Sequence, residues 1–124
     1  MIAATYTPLL LRLHEAWLAM LLAAVMWIGA GLGVFVKLAL PGRHGRLAVA
    51  TYLVLGWAGI LAAHSFWQAL PGVTSGLVVA GGLLYSAGVP FYLWDGLRYQ
   101  RAIWHGFVVA AAACHFIGIA WLYL

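Results

Sequence analysis

The chain has 124 residues, of which 67% are hydrophobic and 6% are charged, with a formal net charge of +4 and a mean hydropathy of +1.05. Soluble domains carry about 25% charged residues, so this composition excludes a globular fold surrounded by water and favours a protein embedded in lipid. The basic residues lie in or beside short connections rather than in a patch interleaved with aromatic residues, which argues against nucleic acid as a partner.

The N-terminal stretch, residues 1–11, is apolar but short. As a helix it would be about 17 Å long, roughly half of the hydrocarbon core of a bilayer. It lacks the charged face of an amphipathic surface helix. We predict a half-span, which either tucks into a helical bundle or belongs to a span that has been cut, and we favour the second interpretation.

Four longer apolar runs follow, and each has the roughly 20 residues that a helix needs to cross a bilayer. The runs are continuous rather than alternating, which argues against the strands of a membrane barrel. The fold class predicted is an all-α membrane protein, with four transmembrane helices after the half-span in a single domain over residues 1–124. The predicted spans are residues 16–40, 47–70, 73–94 and 102–124.

The loop charges predict the orientation of these spans. Loops 41–46 and 95–101 fall on the same side of the membrane if all four runs cross it. Five basic residues lie on that side against Arg12 alone on the other, so the positive-inside rule makes it cytoplasmic and places the C-terminus outside. The same charges would attract anionic lipid. The five are Lys37, Arg43, Arg46, Arg98 and Arg101.

Histidines within spans are functional candidates, because ionisable groups are costly in lipid. His64 and His115 are expected about 25 Å and 20 Å from the cytoplasmic ends of their helices, so they could meet near the outer leaflet. In the alternative, which we favour, each makes a hydrogen bond to a neighbouring group within the bundle.

The third histidine, His105, lies four residues after Arg101, and these positions share one face of a helix. Two histidines at this spacing would form a metal-binding pair of the kind that zinc uses. A guanidinium has no lone pair to donate, so His105 is the metal candidate. The serines in the spans have no matched acid–base partner, and we predict no catalytic residue.

Two segments resemble the last two spans of the bacterial hemolysin III proteins, which share a superfamily with the progestin and adiponectin receptors. They are LYSAGVPFY at 84–92 and AIWHGFVVAAAACHF at 102–116. The resemblance covers nearly the whole chain and implies a seven-helix bundle in the bacterial inner membrane, with the N-terminus inside and the C-terminus outside. It would place Met1 inside the third helix, with the first two helices missing.

The resemblance also implies zinc near the cytoplasmic face, held by a His from an early helix, a nearby Ser and Asp, and a His-x-x-x-His pair in the last helix. Here only the second His of that pair matches, as His105, and Arg101 stands at the first. His115 matches a recurrent family position that is not a ligand. We therefore expect zinc to be absent or weakly bound, with Arg101 linked to a carboxylate or a lipid phosphate instead.

Three functions remain open from the sequence. The first is a hemolysin III-like protein that perturbs membranes, forms pores or senses lipid. The second is a zinc-dependent lipid amide hydrolase, similar to ceramidases, that needs the missing helices. The third is a partner-binding bundle without chemistry, completed by copies of itself or by helices of another chain.

Overall fold

A computed structural model of the chain describes residues 2–39 and 45–124. These ranges are helical almost throughout and contain no strand, which confirms the predicted all-α fold class. Residues 40–44, which comprise the end of the predicted span 16–40 and most of the predicted loop 41–46, lie outside the described ranges. The helices are α1 (Ile2–Leu10), α2 (Ala16–Ala39), α3 (Gly45–Trp57), α4 (Ala63–Ala69), α5 (Gly72–Leu93) and α6 (Gln100–Tyr123), with a 3-10 helix at Ala58–Ala62.

Three of these helices, α2, α5 and α6, are long and apolar enough to cross a membrane. They have 24, 22 and 24 residues, which corresponds to about 33–36 Å against a hydrocarbon core of about 30 Å. Their bounds agree with the predicted spans 16–40, 73–94 and 102–124 to within two residues.

The predicted span 47–70 is helical but broken. Its two arms are Ala48–Leu61, which includes most of the 3-10 helix, and Ala63–Ala69, and they are bent by 63° relative to each other. A break of this kind escapes an analysis of hydropathy because both arms are apolar. The pair makes a fourth span if its arms are counted together.

The chain forms two compact units, one ending at Ala69 and the other running from Leu70 to Leu124. In the first unit, α1 packs against α2 and α3, and Trp27 on α2 donates a hydrogen bond from Nε1 to Oγ1 of Thr7 on α1. Two small clusters of buried residues form the core of this unit: Leu10, Leu13 and Leu22 in one, and Ala3, Met26 and Leu55 in the other.

The second unit is an antiparallel pair of helices, α5 and α6, joined by residues 94–99. The connection ends at Tyr99, which has a left-handed backbone with φ of 63°. The Arg98 guanidinium lies 5.3 Å from the centre of the Tyr99 ring, and the Gln100 side chain donates a hydrogen bond to the carbonyl of Tyr92 at the end of α5. These contacts stabilise the turn between the two spans.

Candidate functional site

Small residues line the interface between α5 and α6. Thr74, Gly81 and Gly88 are buried on α5 at intervals of seven residues, and Ala111 and Gly118 are buried on α6 at the same interval. A repeat of seven keeps residues on one face of a helix. In lipid, small side chains at such a face let two helix backbones approach closely, so this face fixes the site residues of α6 relative to α5.

His115 contacts α5 at the middle of this interface. Its Nε2 donates a hydrogen bond of 3.1 Å to the carbonyl oxygen of Val78, and its ring centre lies 6.0 Å from that of Tyr85. Since a carbonyl only accepts, Nε2 carries the hydrogen, and Nδ1 is an acceptor in the neutral ring. His115 thus makes the hydrogen bond to a neighbouring helix that the sequence analysis favoured.

Thr74 forms a second polar link across the interface. Its hydroxyl is fully buried and donates a hydrogen bond of 3.1 Å to the carbonyl of Gly118. The neighbouring Ser75 hydroxyl is also buried, has no hydrogen-bond partner in the described part of the chain, and has no explanation in the structure. Together, Thr74 and His115 join the helices at two levels.

Aromatic contacts close the interface near the connecting loop. Phe91 stacks on Phe107 with ring centres 5.4 Å apart, and Tyr92 lies 5.2 Å from Trp104. A β-carbon on Gly88 would lie 2.8 Å from Cβ of Phe107 and 3.0 Å from Cε3 of Trp104. Gly88 therefore makes room for the large side chains that flank His105.

Arg101 and His105 are both exposed, one helical turn apart on α6. Within residues 2–39 and 45–124, no three His, Cys, Asp or Glu side chains come together in a group that could hold a metal ion. One imidazole beside a guanidinium, which donates no lone pair, does not provide the three or four ligands of a protein zinc site. The donors present here therefore do not fit zinc, and we derive no step through a metal.

His64 lies on α4 in the other unit and is exposed. The Gln68 amide donates a hydrogen bond of 3.0 Å to Nε2 of His64, within the same helix. The hydrogen-bond partner of His64 therefore lies one helical turn away on the same helix. A meeting between His64 and His115 stays a prediction.

Thr74 and Val78, which organise these contacts, were not among the residues predicted from the sequence. The predicted candidates were ionisable groups, and neither Thr74 nor Val78 is ionisable. The seven-residue spacing of Thr74, Gly81 and Gly88 is a signal that could have identified the contact face of α5.

Comparison with known proteins shows what the chain is similar to. The family model described as Haemolysin-III related matches residues 1–116. The chain is 37% identical over 116 residues to the Hemolysin-3 homolog of Bacillus subtilis (strain 168), which covers 94% of this chain and 54% of that protein. It is equally identical, over 94% of its length and 53% of the relative, to Hemolysin-3 of Bacillus cereus.

A further relative is human, the Monocyte to macrophage differentiation factor. It is 33% identical over 126 residues, which covers 99% of this chain and 50% of that protein. The chain thus spans about half the length of the curated relatives it matches. No solved structure matches it. On the match over residues 1–116 and the 37% identity to two Bacillus relatives, the chain belongs to the haemolysin-III-related family of membrane proteins.

Proposed function

We propose that this chain is a membrane-perturbing protein of the hemolysin III type, with membrane lipid as its partner. The observation that carries the proposal is its 37% identity over 94% of its length to a protein named Hemolysin-3. The donor set of α6 supports it over the zinc-dependent alternative, since His105 shares its face with Arg101, which donates no lone pair, and belongs to no metal-holding group among the described residues.

The lipid contact would be made by the exposed apolar side chains of the spans. On α2 these include two tryptophans and several large aliphatic residues that are more than half exposed in the first unit. On the second unit, an apolar groove of about 260 Å³ is lined by Leu84, Ile103, Gly106, Phe107 and Ala110. Surfaces of this kind suit acyl chains better than a polar substrate.

A conducting path through this chain would need more than one copy. None of the described spans shows a continuous polar face, and water-filled pores are lined by polar or charged groups. We therefore propose that lysis proceeds by disorder of the bilayer or by assembly with further helices, from copies of the chain or from another protein. Crosslinking in native membranes distinguishes these partners by the mass of the product.

Dye release from vesicles tests the proposed function. Purified chain is reconstituted at increasing protein-to-lipid ratios into vesicles loaded with carboxyfluorescein, and protein-free vesicles from the same detergent removal serve as the control. We expect release that rises with the ratio. Vesicles that stay as tight as the control at every ratio would contradict the proposal.

A metal measurement on the same preparation tests the zinc-dependent lipid amide hydrolase. Elemental analysis of the purified chain is compared with His105→Ala and with His64→Ala, a histidine substitution on another helix. Under our proposal none of the three holds stoichiometric zinc. One zinc per chain that is lost only in His105→Ala would favour the hydrolase.

We also propose the topology predicted from the loop charges, in the bacterial inner membrane, with residues 41–46 and 95–101 in the cytoplasm and the C-terminus outside. The antiparallel α5–α6 pair supports the placement of the loop and the C-terminus on opposite sides, because residues 94–99 and Leu124 lie at opposite ends of α6, and the loop charges give the direction. In a Cys114→Ser background, Leu124→Cys should react with an impermeant maleimide in intact cells, and Gly96→Cys only after permeabilisation. The reverse pattern would invert the topology.

A further inference from the structure

The break between α3 and α4 is tied to a residue on a different helix. Tyr6, on α1, donates a hydrogen bond of 2.6 Å from its hydroxyl to the carbonyl oxygen of Gly56. Gly56 lies in the last turn of α3, directly before the 3-10 helix Ala58–Ala62. The hydroxyl therefore binds the backbone where the 3-10 segment begins, and the 63° bend lies at the far end of that segment, between Leu61 and Ala63.

A change of helix type accounts for the availability of the Gly56 carbonyl. In an α-helix, the carbonyl of Gly56 would accept a hydrogen bond from the N–H of Ile60, four residues on. In a 3-10 helix each N–H bonds the carbonyl three residues back, so the N–H of Ile60 pairs with Trp57 and the Gly56 carbonyl loses its α-helical donor. In lipid no water can replace that donor, and the Tyr6 hydroxyl takes its place.

The Tyr6 ring also needs space that only glycine provides. A β-carbon on Gly59 would lie 2.6 Å from the Tyr6 hydroxyl oxygen and 2.7 Å from Cε1 of the ring. Gly56 has no such contact, since nothing lies within 4 Å of a β-carbon placed there. Gly59 thus leaves the space that the Tyr6 ring occupies, and Gly56 contributes the carbonyl that accepts the hydrogen bond.

Tyr6 contacts both arms of the broken span. Its hydroxyl binds Gly56 on α3, and its ring packs edge-on against Phe66 on α4, with ring centres 6.3 Å apart. The helix that carries Tyr6 is itself attached to α2 through the hydrogen bond from Trp27 to Thr7. Tyr6 is therefore anchored independently of the span that it holds.

We propose that the broken span is a hinge and that Tyr6 is the latch that keeps it bent. While the hydroxyl binds the Gly56 carbonyl, the 3-10 segment and the 63° bend persist. When the hydroxyl leaves, the carbonyl recovers the N–H of Ile60, the segment becomes α-helical and the arms align. Because α4 carries the exposed His64–Gln68 pair, opening the latch moves these polar groups relative to α3.

Spin labels on the two arms test the latch. Cysteines replace the exposed Ala50 and Gln68 in a Cys114→Ser background, and the distance distribution is measured in lipid. A straight helix would separate these positions by about 27 Å, and the observed angle shortens this by about 4 Å. We expect the bent distance in the parent and a shift to the longer distance in Tyr6→Phe, which keeps the ring and removes only the hydroxyl.

Two glycine variants distinguish a bend that is held by Tyr6 from a bend that is caused by the flexibility of glycine. Gly59→Ala should also give the longer distance, because its methyl group displaces the Tyr6 ring, whereas Gly56→Ala should keep the bent distance, because it retains the carbonyl and has room. The proposal is overturned if Tyr6→Phe keeps the bent distance, whatever Gly59→Ala does. It is equally overturned if Gly56→Ala alone straightens the span, since the bend would then come from glycine rather than from Tyr6.

Discussion

The imidazole of His115 occupies the space that a β-carbon on Gly81 would take. The large side chain of His115 fits at this level of the α5–α6 interface only because Gly81 has no side chain. The hydrogen bond to Val78 holds the imidazole in place, so the ring cannot simply swing away. Substitutions at this interface should therefore have effects that depend sharply on position.

Gly81→Ala should destabilise the second unit. The added methyl group meets the His115 ring and also the backbone oxygen of Ala111 at 3.1 Å, which cannot move without shifting α6. Overpacking of this kind costs about 1–3 kcal/mol. Unfolding by a denaturing detergent, followed by circular dichroism in lipid micelles, measures the loss. Gly76→Ala, with nothing within 4 Å of its β-carbon, is the matched control, and equal stability of the two variants would refute the clash.

Thr74→Val should weaken the same pair of helices without changing its shape. The substitution removes the hydroxyl that bonds the carbonyl of Gly118, and interhelical hydrogen bonds of this type contribute about 1 kcal/mol in membranes. Thr74→Ser keeps the hydroxyl and serves as the control. Unfolding under the conditions used for Gly81→Ala should show that Thr74→Ser is more stable than Thr74→Val. The opposite order would show that the methyl group of Thr74 contributes more to stability than its hydrogen bond.

Ile28→Arg should impair membrane insertion of α2. Ile28 lies at the middle of a 24-residue span and is 62% exposed in its unit, so an arginine there would face lipid. A charge at the centre of a helix raises the apparent free energy of insertion by about 3 kcal/mol. Leu38→Arg, at the end of the same helix, can extend its charge to the interface and should insert nearly as well as the parent. A glycosylation-based insertion assay measures both, and similar insertion of the two variants would mean that position 28 is not surrounded by lipid.

Arg101→His should create weak metal binding where the parent has little. The substitution places two imidazoles at positions i and i+4 of α6, which is a spacing that zinc uses. Two ligands bind less tightly than the three or four of a natural site, so we expect cobalt or zinc affinity that disappears in Arg101→His combined with His105→Ala. Titration calorimetry in detergent measures it. Binding that survives loss of His105 would place the metal elsewhere.

The spans were predictable because lipid imposes one simple demand. A backbone surrounded by hydrocarbon must satisfy its own hydrogen bonds, so a continuous apolar run of sufficient length becomes a helix. This is why α2, α5 and α6 lie within two residues of their predicted bounds. The break in the predicted span 47–70 could not be found in the same way, because Tyr6 and Gly56 are separated by fifty residues and hydropathy does not record a hydrogen bond between them.

The candidate site likewise has features that the sequence predicts and features that depend on how the helices pair. That Arg101 and His105 share a face follows from helical periodicity alone, and the structure has both in α6 with exposed side chains. That His115 bonds Val78 follows from how α5 pairs with α6, which depends on the order of small and large residues along both helices. A single sequence contains those residues but does not show which residue of α5 lies opposite which residue of α6.

The seven-residue repeat along α5 has a consequence for how the two helices align lengthwise. A repeat that consisted of identical residues would permit the helices to slide by one interval and pair again. Here the positions differ: Gly88 accommodates Phe107 and Trp104, and Thr74 carries a hydroxyl that reaches a backbone oxygen at Gly118. A shift by one interval that places Gly81 opposite the bulky ring pair would also place Thr74 against His115, where a β-carbon has no room, and would remove the oxygen that Thr74 binds. The order of threonine, glycine and glycine therefore specifies a single register for the hairpin.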